Sequence, residues 1–275
     1  MNREIVFGQY YPKNSFIHKL DPRLKLFAAV IFIVAVFLCD VYYSYAVCYG
    51  FLLVAVLVSR VPIKSILKTI RAIIFIVIFT AILNVLFYKD GHAYFKWWIF
   101  TMTDQGLIYA SKMVLRIVFL AVSTSLVSLT TTPMALTDGM ESLMKPLKYI
   151  HFPVHDVAVI MSTALRFIPT LMEEVDKIMM AQKARGAHFD NGGLIKRAKA
   201  LLPVLIPLFV STFRRADELA MALDARCYNA TPNRTKMKPL RFSWRDLVAV
   251  LLLLVFFLVI IFMKIGFFGL LTAKI

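Results

Sequence analysis

The sequence predicts an all-α, polytopic membrane protein with about five transmembrane helices and a long helical cytoplasmic segment, and three observations predict it. Of 275 residues, 60% are hydrophobic and only 17% charged, at a mean hydropathy of +0.74, whereas a soluble domain keeps roughly a quarter of its residues charged. Charge-poor runs outlast any single buried helix. Lys and Arg number 32 against 16 Asp and Glu, a net charge of +16, and the excess gathers on one side of the predicted spans.

The first 25 residues carry seven charges and no apolar core, which predicts that no cleavable signal peptide opens the chain. From Leu26 to Ser59 the only charge is Asp40. One crossing takes about 20 residues, so this stretch is a hairpin of two spans turning near Asp40. Tyr42, Tyr43, Tyr45 and Tyr49 surround that turn, where amphipathic rings favour the headgroup level. A third span runs from Ala72 to Tyr88, and a fourth from Leu107 to Leu129 with Lys112 and Arg116 near its start. Between them Tyr94, Phe95, Trp97, Trp98 and Phe100 form an aromatic-rich loop suited to the outer interface. The last span, Leu247 to Met263, is the cleanest.

Five spans place the termini on opposite sides. Segments 1–25, 60–71 and 130–246 carry 26 of the 32 Lys and Arg, and the loops on the other side carry four. The bias puts the N-terminus in the cytoplasm and the C-terminus outside. It also accounts for most of the basic excess without a nucleic-acid partner. The chain divides into residues 1–129 as N-terminal transmembrane helices, 130–243 as cytoplasmic helices and 244–275 as a C-terminal transmembrane helix.

The cytoplasmic part alternates apolar and charged positions at helical spacing. Met134 to Tyr149 is a short amphipathic piece ended by Pro153. From Asp156, apolar positions such as Val157, Met161, Leu165, Ile168 and Met172 recur at steps of three and four, the stripe of a long helix that packs on another. Its partner is the run Leu194 to Tyr228, which Pro203 and Pro207 would bend. The apolar stretch from Ala200 to Phe213 is too short for a sixth span and holds both prolines.

Both long helices end alike. Ala184-Arg185-Gly186 closes the first and Ala225-Arg226-Cys227 the second, each an arginine between two small residues. A local reading exists, because arginine suits the negative end of a helix dipole and Gly186 can cap. It explains one such end and leaves the repetition unexplained. Small flanks also let a helix tip enter a narrow groove, where the guanidinium fork pairs with a carboxylate or carbonyls.

These residues, with others, resemble a known family. His18-Lys19-Leu20-Asp21-Pro22-Arg23-Leu24-Lys25 is similar to the Leu-Asp-Pro-Arg-x-Lys signature of the EcfT/CbiQ family, the transmembrane coupling components of energy-coupling factor (ECF) importers. Leu165-Arg166-Phe167-Ile168-Pro169, Glu173-Glu174 and Ala184-Arg185-Gly186 resemble its first long coupling helix; Ala216-Asp217-Glu218-Leu219-Ala220 and Ala225-Arg226-Cys227-Tyr228 resemble the second. The resemblance covers nearly the whole chain. It implies a subunit without catalysis of its own in a bacterial plasma membrane, whose long cytoplasmic helices cross in an X. It also implies as partners two ATP-binding cassette ATPases, which bind ATP and Mg, and a separate substrate-binding membrane subunit (S component), several of which can exchange on a shared coupling subunit. Carried over, Arg185 and Arg226 dock into the ATPases, with Ala184, Gly186, Ala225 and Cys227 allowing close approach. The family often has Gly or Ser where this chain has Cys227, so a backbone conformation that needs glycine is not expected there.

Other candidates read as structure. His151 and His155 are four apart, but Pro153 stands between them and no zincin carboxylate follows. Glu173, Glu174 and Asp176 sit beside Lys177, and Asp217-Glu218 follow Arg214-Arg215, as solvated or ion-paired faces. Lys112 and Arg116 either face a protein interior or snorkel to the interface. The cytoplasmic methionines suit helix packing. No Walker-type glycine loop is present, because Gly192-Gly193 lacks the Gly-Lys-Ser/Thr that must follow. A competing reading, a membrane enzyme acting on lipid head groups, requires His151, His155, Arg166 and carboxylates to converge at one membrane depth.

Overall fold

A computed structural model describes residues 10–87, 93–97, 100–150, 152–187, 189, 193–228 and 242–272. Among the described residues eight α-helices follow in order: α1 (Pro22–Leu38), α2 (Tyr42–Ser59), α3 (Ile63–Phe87), α4 (Asp104–Thr130), α5 (Pro133–Leu143), α6 (Val154–Ala184), α7 (Leu194–Ala225) and α8 (Trp244–Thr272). The aromatic-rich loop is a small exception to the all-α expectation. Strands β1 (Ala93–Trp97) and β2 (Phe100–Thr103) pair antiparallel there, with Trp97 opposite Phe100. Antiparallel pairing gives the backbone polar groups of this segment partners within the chain. The expected Trp98 lies outside the described residues. The chain forms two compact units, one of α1 to α5, β1, β2 and α8, the other of α6 and α7.

The first unit is the membrane bundle. Five described helices are long and apolar enough to cross a bilayer: α2, α3, α4, α6 and α8 up to Gly266. That five is not the predicted five, since it omits α1 and admits α6. Burial and charge favour α1 as the span. Its 17 residues reach about 26 Å, uncharged from Leu26 onward, and Phe27, Val30, Val34 and Phe37 form an exposed apolar stripe fit for lipid. The longer α6 carries Asp156, Arg166, Glu173, Glu174, Asp176, Lys177 and Lys183, which no lipid-facing helix holds cheaply.

Aromatic stacking organises the bundle core. Phe51 lies 4.2 Å from Phe256 between ring centroids, and Phe32 closes the set at 5.8–6.0 Å from both, tying α1, α2 and α8 together. Ala35, Val36, Cys48 and Ile260 are almost fully buried around it. α3 packs mainly on α4, and α5 lies on α1, where Gly139 allows the closest approach. A Cβ there would stand 3.2 Å from Pro22 Cβ and 3.3 Å from the Pro22 carbonyl carbon.

The basic end of the bundle is held by a polar latch. Asp21 caps α1 by accepting from the Arg23 amide (2.9 Å), with Pro22 in the first turn. The Asp21 amide in turn donates to Asp246 Oδ1 on α8 (2.8 Å), and Asp246 Oδ2 accepts from the Ser243 amide (2.7 Å). Lys25 is equally buried and donates to the carbonyls of His18 and Thr130 and to Thr131 Oγ1 at 3.0–3.2 Å. Asp21, Lys25 and Asp246 thus each meet hydrogen-bonding partners, the condition for tolerating a buried charge. Just before the latch, burial lowers the pKa of His18, whose ring lies 2.7 Å from Ser15 Oγ and 3.0 Å from the Tyr11 carbonyl.

The far end is tied by charge. Asp40 pairs with Lys264 of α8 at 3.8 Å, and its carbonyl accepts from Lys112 of α4 at 2.6 Å. The two intramembrane cations thus take different routes. Lys112 reaches the α1–α2 turn past the rings of Tyr42 and Tyr109, as a snorkelling side chain does. Arg116 turns inward, donating to Tyr45 Oη (3.2 Å) with its guanidinium 5.1 Å from the Phe37 ring centre.

Candidate functional site

The second unit holds the two arginine-bearing ends. α6 starts at Val154, close to the predicted start at Asp156, and continues through Pro169. α7 starts at the predicted Leu194 and runs without interruption through Pro203 and Pro207. Side-chain contacts pair the helices antiparallel. Gln182 donates to the Pro203 carbonyl, Glu174 accepts from Ser211 and Arg215, Arg215 lies over the Phe167 ring, and Tyr228 meets His155. These contacts run from the start of α6 almost to its end.

Glu174 is the hub of that pairing. One carboxylate oxygen takes the Ser211 hydroxyl and the other faces Arg215 at 3.4 Å. The ion-paired reading of the acidic run holds for Glu174, although its partner is on α7 and not among the neighbouring lysines.

Each tip is built by one backbone motif. At the end of α6, the Gly186 amide donates to the Lys183 carbonyl (3.0 Å) and the Ala187 amide to the Gln182 carbonyl (3.0 Å). At the end of α7, the Cys227 amide donates to the Asp224 carbonyl (2.9 Å) and the Tyr228 amide to the Leu223 carbonyl (3.0 Å). Both are Schellman motifs, which satisfy the last helix carbonyls through one left-handed residue. Gly186 takes that position at φ 87° and Cys227 at φ 52°. The expectation against a glycine-like conformation at Cys227 is therefore overturned. Two well-made capping bonds offset a left-handed penalty of about 1–2 kcal/mol for a residue with a Cβ.

In both motifs the arginine is the residue just before the left-handed one, so Arg185 and Arg226 occupy equivalent positions. Ala184, Arg185, Gly186, Ala225, Arg226 and Cys227 are all exposed. The tips stand at opposite ends of the helix pair, because Tyr228 lies against His155 while Arg185 follows 30 residues later. At 1.5 Å per residue that places the two arginines about 45 Å apart. Two exposed cations on identical backbone platforms at such a separation can engage two separate acceptors, and one groove cannot hold both.

The remaining candidates do not assemble. His151 lies outside the described residues, and His155 sits at the start of α6 against Tyr228. Among the described residues no three His, Cys, Asp or Glu side chains cluster as metal ligands. Sequence reasoning missed Asp246 and the Thr130–Thr131 pair as partners of the Asp21–Lys25 segment; a lone acid opening the last span was the available signal.

The comparisons bear on these features together. Residues 13–237 match the model of the CbiQ family, described as cobalt transport protein. The chain is 46% identical over 268 residues to the energy-coupling factor transporter transmembrane protein EcfT of Ruminiclostridium cellulolyticum, covering 98% of this chain and all of that one. It is 50% identical over 258 residues to the EcfT of Clostridium kluyveri, covering 93% and 95%. Against the EcfT of Bacillus subtilis it is 42% identical over 264 residues, covering 96% and 100%. These relatives are named as transporter membrane components, which leaves the lipid-enzyme reading without support. The chain is a multi-pass membrane protein, and it belongs to the CbiQ/EcfT family of energy-coupling factor transporter transmembrane proteins.

Proposed function

We propose that this chain is the coupling subunit of an ATP-driven importer of vitamins or similar micronutrients, and that its arginine tips dock into two ATP-binding cassette ATPases. The observation that carries the reading is the repeated cap: the same arginine position on the same Schellman platform at both ends of one antiparallel helix pair. The small neighbours Ala184, Gly186, Ala225 and Cys227 keep each tip narrow enough for a groove, and the guanidinium forks bind carboxylate or carbonyl oxygens within it. Nucleotide and magnesium bind to the ATPases, whose closure works the α6–α7 pair as a lever pivoting near Glu174.

In this reading residues 130–243 are the cytoplasmic coupling part between N-terminal spans in 1–129 and the C-terminal span in 244–275. The N-terminus is cytoplasmic in a bacterial plasma membrane, as the charge bias argues. A separate membrane subunit carries the substrate. The chain's length and its full coupling segment favour a coupling subunit shared among several such partners over one dedicated to cobalt.

The test is the Arg185→Ala/Arg226→Ala double variant, expressed with its partner subunits. Hydrogen bonds to a charged group contribute about 1.5–3 kcal/mol, so each single variant weakens ATPase binding about 10- to 100-fold. The double variant releases both ATPases and abolishes uptake while inserting normally. Normal ATPase co-purification and uptake in the double variant would overturn the assignment.

A further inference from the structure

We propose that the basic end of the membrane bundle holds an anionic phospholipid, with its head group in a cationic cleft and an acyl chain in the adjoining apolar one. The cationic cleft has a volume of about 570 Å³ and is lined by Lys19, Arg60 and Arg245 together with Asn14 and Ser15. These residues come from the segment before α1, the end of α2 and the start of α8, so the fold gathers three cations from distant parts of the chain. No acid lines the cleft. The two carboxylates of the neighbouring latch face elsewhere, since Asp246 accepts from the Asp21 and Ser243 amides and Asp21 from the Arg23 amide. Among the described residues no ion pair engages Lys19, Arg60 or Arg245.

The second cleft, about 200 Å³, is bounded almost entirely by carbon, with Leu20, Ala29, Phe51, Ala55 and Leu252 among its walls. Phe16 and Val58 line both clefts, so the cationic and apolar spaces adjoin. A charged head beside an oily slot is the division a phospholipid has, and a small soluble anion would use the first cleft alone. Arg60 adds a further sign of fixed placement. It is one of two described non-glycine residues with a left-handed backbone (φ 55°), the other being Cys227 at the tip of α7. The membrane interface supplies the ligand, and basic residues near it select anionic lipid.

The experiment uses the full chain, delipidated and returned to nanodiscs of phosphatidylcholine containing graded phosphatidylglycerol, with bound lipid counted by native mass spectrometry. At about fivefold per cation near an anionic surface, Lys19→Gln/Arg60→Gln/Arg245→Gln loses roughly 100-fold in phosphatidylglycerol affinity. A control that removes three cations from the start of α3, Lys64→Gln/Lys68→Gln/Arg71→Gln, leaves tight binding in place. Ala55→Phe, which fills the apolar slot, weakens long-chain phosphatidylglycerol and spares glycerol phosphate. Equal losses in the two triple variants overturn the proposal, because they report only bulk charge. Competition by glycerol phosphate as strong as by the lipid also overturns it, as does phosphatidylglycerol binding unchanged in the first triple variant.

Discussion

Gly186→Ala tests whether the left-handed residue gives the tip its shape. A Cβ built at Gly186 meets nothing within 4 Å, so the substitution causes no clash and its whole effect is conformational. At φ 87° a side chain costs about 1–2 kcal/mol, because Cβ crowds the following carbonyl. That penalty falls on the closed tip and not on the frayed one, so fraying rises about 5- to 30-fold. The Ala187 amide, bonded to the Gln182 carbonyl at 3.0 Å, reports it directly by hydrogen exchange. Gly186→Asn, which tolerates the left-handed region, recovers most of the protection. At the other tip Cys227→Gly removes the same penalty and slows exchange of the Tyr228 amide, less glycine's own entropic cost of about 0.5–1 kcal/mol. Exchange at Ala187 that is unchanged in Gly186→Ala would refute the reasoning, since the cap would then not depend on a left-handed residue.

Two further predictions concern the bundle. Asp246→Ala strips the acceptors from two backbone amides at the latch, each costing about 1–3 kcal/mol when left unpaired; the purified protein melts several degrees lower, and Asp246→Asn, which keeps one acceptor, melts in between. Gly139→Leu forces α5 off α1, since even its Cβ would stand 3.2 Å from Pro22. It costs about 1–3 kcal/mol in overpacking, read as a loss of melting temperature that Gly139→Ala shows in weaker form.

The spans were legible in the sequence because length and charge decide membrane crossing, and both are local. Asp40 marked the α1–α2 turn for that reason. What local signals could not supply were contacts across the chain. Asp21 ahead of Pro22 is a locally encoded N-cap, while its bond to Asp246 joins residues 225 positions apart and no periodicity encodes it. Glu174 read as one of several acids on a solvated or ion-paired face, yet the pairing of α6 with α7 singles it out by bringing Ser211 and Arg215 against it. The candidate site was legible as a repeated small-Arg-small pattern, but its geometry was only half legible. Glycine at position 186 announces a left-handed cap, whereas cysteine at 227 argues against one, and the Asp224 and Leu223 carbonyls outweigh that preference.

The bond between Asp21 and Asp246 has a consequence for biogenesis. The carboxylate that receives the Asp21 amide is made 225 residues after it. The bundle therefore cannot finish assembling in the order it is synthesised, and the cap of α1 must wait for α8 to arrive. Such a closure works as a completeness check: a chain that lacks α8 leaves the Asp21 amide without its acceptor.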